Sequence, residues 1–162
     1  MLYARTWWRI RSASLAFTFI LFHFSGWLAV GEVTCFVVKN NPAAQHPYTN
    51  WASAAPDIQT AVDASSDGDT VVVSNGVYNT GGVAGYPDGG ELTNRVAIHK
   101  PITVRSANGP DVTSIVGSGP KGAQAVRGVY LVEGAALVGF TVTQGATSTN
   151  EGGGLLSIVG TD

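Results

Sequence analysis

One strand–corner–strand phrase occurs twice in this chain, and that repeat restricts the fold more than any other feature. Val96-Ala-Ile-His-Lys-Pro-Ile-Thr-Val-Arg-Ser106 runs through a strand, a two-residue corner and a second strand, and Val129 to Val142 repeats the pattern 33 residues later. Such corners bend the chain without reversing it into a hairpin. Successive copies can therefore pair in parallel, with the longer loops bulging out at the corners. Setting aside the loop from Gly117 to Val126 leaves a coil of roughly 20–25 residues, a period typical of stacked arrays. Periodicity alone also admits a β-sandwich.

The rest of the chain after residue 31 agrees with short strands. Thr34-Cys-Phe-Val-Val-Lys39, Thr70-Val-Val-Val-Ser74, Val77-Tyr78, Val112 to Val116 and the apolar run Leu155 to Val159 are β-branched or apolar segments bounded by turn residues. Ala136 to Thr143 reads as one strand. Only 12 % of residues are charged while 21 are glycine, which suits tight turns and disfavours a helical bundle. One helix is predicted, Pro56 to Ser65. Pro56 fits its first position, Asp57 favours the positive end of the dipole, and Ile58, Ala61, Val62 and Ser65 form a narrow stripe. It stops at Ser66-Asp-Gly-Asp69. With no later helix, an alternating strand–helix parallel sheet is disfavoured. Asn40 to Ala55 has no periodicity and reads as an irregular connection in which Trp51 anchors packing.

Residues 1–31 have the three parts of a secretory signal: Arg5, Arg9 and Arg11, an apolar run of 16 residues from Leu15 to Val30, and small residues at Ala29-Val-Gly31. The run is short of the ~20 residues that span a bilayer, so cleavage is preferred to anchoring, and a membrane partner is expected only if the leader is retained. Either way the remainder is expected outside the cytoplasm: extracellular, periplasmic or on the cell surface. That remainder holds six basic residues and all eleven acidic ones, a net 6 − 11 = −5. An acidic body gives no electrostatic ground for binding nucleic acid. The single cysteine, Cys35, precludes an intrachain disulfide and reads as a small buried residue on the first strand.

Ile58-Gln-Thr-Ala-Val-Asp-Ala64, Asp67-Gly-Asp-Thr-Val-Val-Val73 and Gly76-Val-Tyr-Asn79 resemble the opening of the right-handed parallel β-helix proteins of the pectin-lyase-like superfamily, and Lys100 to Ser106 and Leu137 to Val142 resemble its coil phrases. The resemblance covers residues 56–159. It implies an all-β solenoid with a short N-terminal capping helix, preceded here by the signal peptide and by a first strand with its connection over residues 32–55. No comparable cap is visible before Asp162, and roughly three coils are few for a free-standing array, so further coils are expected beyond it. The resemblance also implies an association with polysaccharide, by binding or by processing as a lyase or hydrolase. A non-catalytic adhesin or structural solenoid is the alternative.

No catalytic residue, substrate-binding residue or metal ligand is assigned from the sequence. Calcium enters through the resemblance only, as the charge neutraliser of lyases. Asp67 and Asp69 lack the further spaced oxygens of a calcium loop and read as a helix-to-strand turn; Asp88 and Glu91, in the Gly-rich segment, are a second weak pair. Lys100 and Arg105 flank a proline corner, and Arg105 could face a carbohydrate groove, although a solvated face or a surface ion pair is the plainer reading. His46 and His99 show no partner in the sequence, and Gly152-Gly-Gly154 reads as a coil corner because it lacks the context of a phosphate loop.

Overall fold

A computed structural model of the protein describes residues 31–87, 89–148 and 153–157. Residues 1–30, which hold the segment read as a signal peptide, Asp88, Thr149 to Gly152 and the terminal stretch from Ile158 lie outside the described residues.

The described chain is a parallel β-solenoid of three coils with three faces. The elements are β1 (Thr34–Val37), α1 (Ile58–Ala64), β2 (Thr70–Val73), β3 (Gly76–Tyr78), β4 (Thr93–Ile98), β5 (Thr103–Ser106), β6 (Thr113–Val116), β7 (Val126–Leu131), β8 (Ala136–Val138), β9 (Thr141–Thr143) and β10 (Leu155–Ser157). Sheet A has the order β1-β2-β5-β8, sheet B β3-β6-β9 and sheet C β10-β7-β4. Every pairing between these strands is parallel. The sandwich alternative is thereby excluded for these residues.

The 33-residue offset of the sequence is the register itself. Thr70 lies beside Thr103 and Thr103 beside Ala136, while Val96 lies beside Val129. The corner from sheet C to sheet A has the same length in both full copies, His99–Ile102 and Val132–Ala135, four residues rather than the expected two. Its stacking is close: a Cβ on Gly134, whose φ is +76°, would come within 3.0 Å of the Pro101 ring. The predicted strand Ala136 to Thr143 is two strands, split where Gly139 takes φ +75°, a conformation glycine adopts without strain.

Alternation within each strand sends one row inward. Cys35, Val71, Val104 and Leu137 form one rung series on sheet A, and Tyr78, Ile115 and Val142 another on sheet B. Val96 and Ile98 stack on Val129 and Leu131 on sheet C. These side chains fill one hydrophobic core. Cys35 is buried among them, as its sequence context predicted.

A stacked ladder leaves unpaired backbone groups on its first coil, and each face closes that edge differently. On sheet A, β1 pairs with β2, and the connection then covers β1: Phe36 N–H donates to Tyr48 O at 2.8 Å and Phe36 O accepts from Ala55 N–H at 2.8 Å. On sheet C the helix takes the place of a strand. The Gln59 amide accepts from Ala97 N–H at 2.9 Å and donates to Ala97 O at 3.2 Å, as a neighbouring peptide would. On sheet B, the Lys39 ammonium reaches over β3 and donates to Val77 O.

The helix is itself terminated by specific groups. Asp57 is its N-cap, accepting from Thr60 N–H at 2.8 Å, so Pro56 precedes the cap instead of occupying the first helical position. At the other end Lys100 Nζ donates to Val62 O, Asp63 O and Ser65 O at 3.2, 2.8 and 2.7 Å. A cation there supplements the bond that Val62 O accepts from the C-cap Ser65 N–H and gives the later carbonyls of the last turn a partner. Ile58, Ala61 and Val62 face the core.

The Gln59→Ala substitution is therefore expected to destabilise the protein by about 1–3 kcal/mol, the range for leaving buried backbone groups unpaired. Urea denaturation measures this loss, and the Ala97 amide is expected to exchange hydrogen faster in the variant.

Candidate functional site

The outward row of sheet A is Phe36, Val72, Arg105 and Val138, one residue from each successive strand; Val72 is buried and Phe36 partly so, while Arg105 and Val138 are exposed. Trp51 comes from the irregular connection and lies against Phe36 with ring centroids 4.6 Å apart. It is not buried: 45 % of it stays exposed, so it presents a ring to solvent while its contact with Phe36 holds it in place. Trp51, Ser74, Asn75, Ala107 and Asn108 line a shallow cleft of about 320 Å³ where sheet A turns towards sheet B. Asn108 Nδ2 donates to Asn75 Oδ1 at 2.8 Å, which aligns two amides along the solenoid axis. Arg105 is exposed on the same outer face, without an ion pair among the described residues.

A second cleft, of about 340 Å³, opens at the first coil above β3, between the connection, α1 and the segment after β3. Lys39, Gln59, Tyr78, Thr80 and Arg95 are among its lining residues. Lys39 Nζ also donates to Asn79 Oδ1 at 3.1 Å. Arg95 Nε donates to Val116 O at 2.7 Å and its Nη1 to Gly81 O. Partial burial pulls the Arg95 guanidinium below its ordinary pKa. The Tyr78 hydroxyl is buried, donates to Ser74 O at 3.0 Å, and has its pKa pushed up by that burial, with the Ser74 side chain opposing in part.

The sequence candidates are dispersed. Asp69 is buried in the helix-to-strand turn, where its carboxylate accepts from Val33 N–H at 2.8 Å and Ser66 N–H at 2.7 Å; Asp67 is exposed. That turn is structural, as read from the sequence. Glu91 is exposed and Asp88 lies outside the described residues. Among the described residues no three His, Cys, Asp or Glu side chains group to hold a metal ion. Lys100 belongs to the helix terminus and Arg105 to the outer face, so the two do not converge. His46 packs edge-on against Tyr48 at 5.6 Å. His99 does have partners: Asp63 lies 3.9 Å away, and Tyr86 stacks on its ring at 5.0 Å and reaches Tyr130 at 5.7 Å. Gly153 and Gly154 do form a close corner: a Cβ on Gly128 would come within 2.4 Å of Gly154 O, and one on Gly145 within 1.9 Å of Gly153 O.

Sequence reasoning missed a buried polar rung on sheet C. Arg127 Nη1 donates to Asn94 Oδ1 at 3.1 Å, and Asn94 Nδ2 reaches Tyr86 O at 3.0 Å, which docks the Gly-rich segment onto the sheet. Their separation of 33 residues was the available signal, since it equals the repeat.

Comparison with protein-family models, curated proteins and solved structures gives no match to this chain.

The buried Cys35 thiol and Tyr78 phenol set an alkaline limit on stability. Burial raises the pKa of both the Cys35 thiol and the Tyr78 phenol. Each group is neutral when protonated, so a raised folded-state pKa favours the folded state while the unfolded chain also keeps its proton. That contribution is whole below the ordinary values of 9.0 and 10.0 and declines as pH climbs past them. Denaturant midpoints are expected to hold from pH 7 to 8 and fall above about pH 9, with the fall shallower in Cys35→Ala than in the parent.

Proposed function

We propose that the protein is exported and binds polysaccharide along the outer face of sheet A. The observation that carries this reading is Trp51, a half-exposed indole steadied by Phe36 at the rim of a cleft whose other walls include Ser74, Asn75 and Asn108. A sugar ring offers an apolar face of C–H groups and a rim of hydroxyls. An exposed indole suits the first, and amide and hydroxyl side chains suit the second. The outer row of a parallel ladder is also linear, which fits a polymer better than a compact ligand. Arg105, exposed on that row, favours a polymer that carries carboxylates.

Three further features support the wider reading. The basic, apolar and small-residue segments of the leader have the order of an export signal. Parallel strand connections are right-handed in about 98 % of cases, which favours a right-handed coil. The capping helix, the Gly-Asp-Thr-Val strand and the Gly-x-Tyr phrase together resemble the pectin-lyase-like superfamily. No reaction is part of this proposal.

If residues 1–31 are removed, Trp51 is the sole tryptophan left of four, so intrinsic fluorescence reports on this cleft directly. Titration with polygalacturonate is expected to shift that emission saturably. Trp51→Phe is expected to weaken binding, measured by calorimetry, by a few-fold, and Trp51→Ala by about tenfold, the equivalent of ~1.4 kcal/mol. Unchanged affinity in Trp51→Ala overturns the proposal.

A further inference from the structure

The cleft above β3 has a chemistry unlike that of the Trp51 face. There the sheet edge is covered by a charged side chain, whereas sheet A uses backbone and sheet C the neutral Gln59 amide. Among the described residues both of its cations, Lys39 and Arg95, bond to uncharged oxygens: Val77 O and Asn79 Oδ1 for the first, Val116 O and Gly81 O for the second. A neutral amide could supply those same hydrogen bonds. The one carboxylate in the lining, Asp57, is committed to the helix cap, accepting from the Thr60 N–H and Thr60 Oγ1 at 2.8 Å each. Two cations thus line a half-enclosed space with no carboxylate of the described residues bonded to either, and partial burial of Arg95 removes some of the water that would otherwise screen it.

From this arrangement we propose that the cleft is a binding site for a small carboxylated sugar, its carboxylate held between Lys39 and Arg95. The volume of about 340 Å³ is at the lower end of the ~300–1,000 Å³ of small-molecule sites, which suits a monosaccharide and not a polymer segment. The exposed hydroxyl of Thr80 and the side-chain amide of Asn40 stand at the lining with polar groups for sugar hydroxyls. The site shares no lining residue with the Trp51 cleft, so either reading can fail without the other.

The test is calorimetric titration of the exported part with glucuronate and, separately, with glucose. Glucuronate is expected to bind saturably in the millimolar range or better, at least tenfold more tightly than glucose, and more weakly in 500 mM than in 50 mM sodium chloride. Lys39→Gln keeps a donor for Val77 O and removes the charge; it is expected to reduce affinity at least fivefold. Thr80→Trp fills the cleft from an exposed position without touching either cation, and is expected to abolish binding while leaving the circular dichroism spectrum unchanged. Equal binding of glucose, no binding of glucuronate, or undiminished binding in Thr80→Trp overturns the proposal.

Discussion

The unpaired edge of the first coil is the constraint on which the rest of this structure depends. A parallel ladder satisfies each strand by the next, so the first strand of every face is left with backbone groups that must find a partner or face water. This chain solves the problem separately on its three faces, and the solutions account for most of the described chain before Thr70. The strand β1 and the otherwise featureless connection serve sheet A, the helix serves sheet C, and one lysine serves sheet B. The bidentate contact of Gln59 with Ala97 is the clearest case, since a side-chain amide has the same donor and acceptor as the peptide it replaces. The helix need not be long to do this. Seven residues suffice because both ends are tied, by Asp57 at the start and Lys100 at the end.

Regularity below the cap follows from register. The inward rows place like on like, Val71 over Val104 and Ile98 over Leu131, and the 33-residue step recurs on sheets A and C. Other pairs depart from that step, with Gly76 beside Thr113 and Ser114 beside Thr141 on sheet B, Thr34 beside Thr70 on sheet A and Val129 beside Leu155 on sheet C, because the intervening excursions differ in length. Variation is thus confined to corners, while the rungs stay fixed. Where backbones close on each other at a corner, as Gly145 does on Gly153, a side chain has no room.

Most of the fold was legible because it rests on local chemistry. The repeat of Val96 to Ser106 at Val129 carries the 33-residue offset that the register of β4 on β7 follows, and the Ser66–Asp69 cluster marks the end of the helix. Less was legible where the partner is distant in sequence. The pairing of Gln59 with Ala97 spans 38 residues and that of Lys39 with Val77 also 38, so neither residue type announces its role. His99 looked isolated for the same reason: Asp63 and Tyr86 reach it only through the coil geometry. Trp51 was read as a packing anchor because tryptophan usually is one, yet its ring is only partly used for packing. The second cleft had no sequence signature at all, since its cations come from two separate strands' surroundings and meet only over the β3 edge.

Parallel stacking at this step defines the solenoid. It places Thr70 beside Thr103, both on the outward side of sheet A, at the ~4.8 Å spacing of neighbouring strands, within the range a disulfide can bridge. An antiparallel arrangement of the same two strands would instead set Thr70 against Ser106. In a Cys35→Ala background, oxidation of the pair Thr70→Cys and Thr103→Cys is expected to give a quantitative intrachain disulfide without loss of the folded circular dichroism signal, while Thr70→Cys with Ser106→Cys stays reduced. Ready cross-linking of the second pair and none of the first would contradict the solenoid.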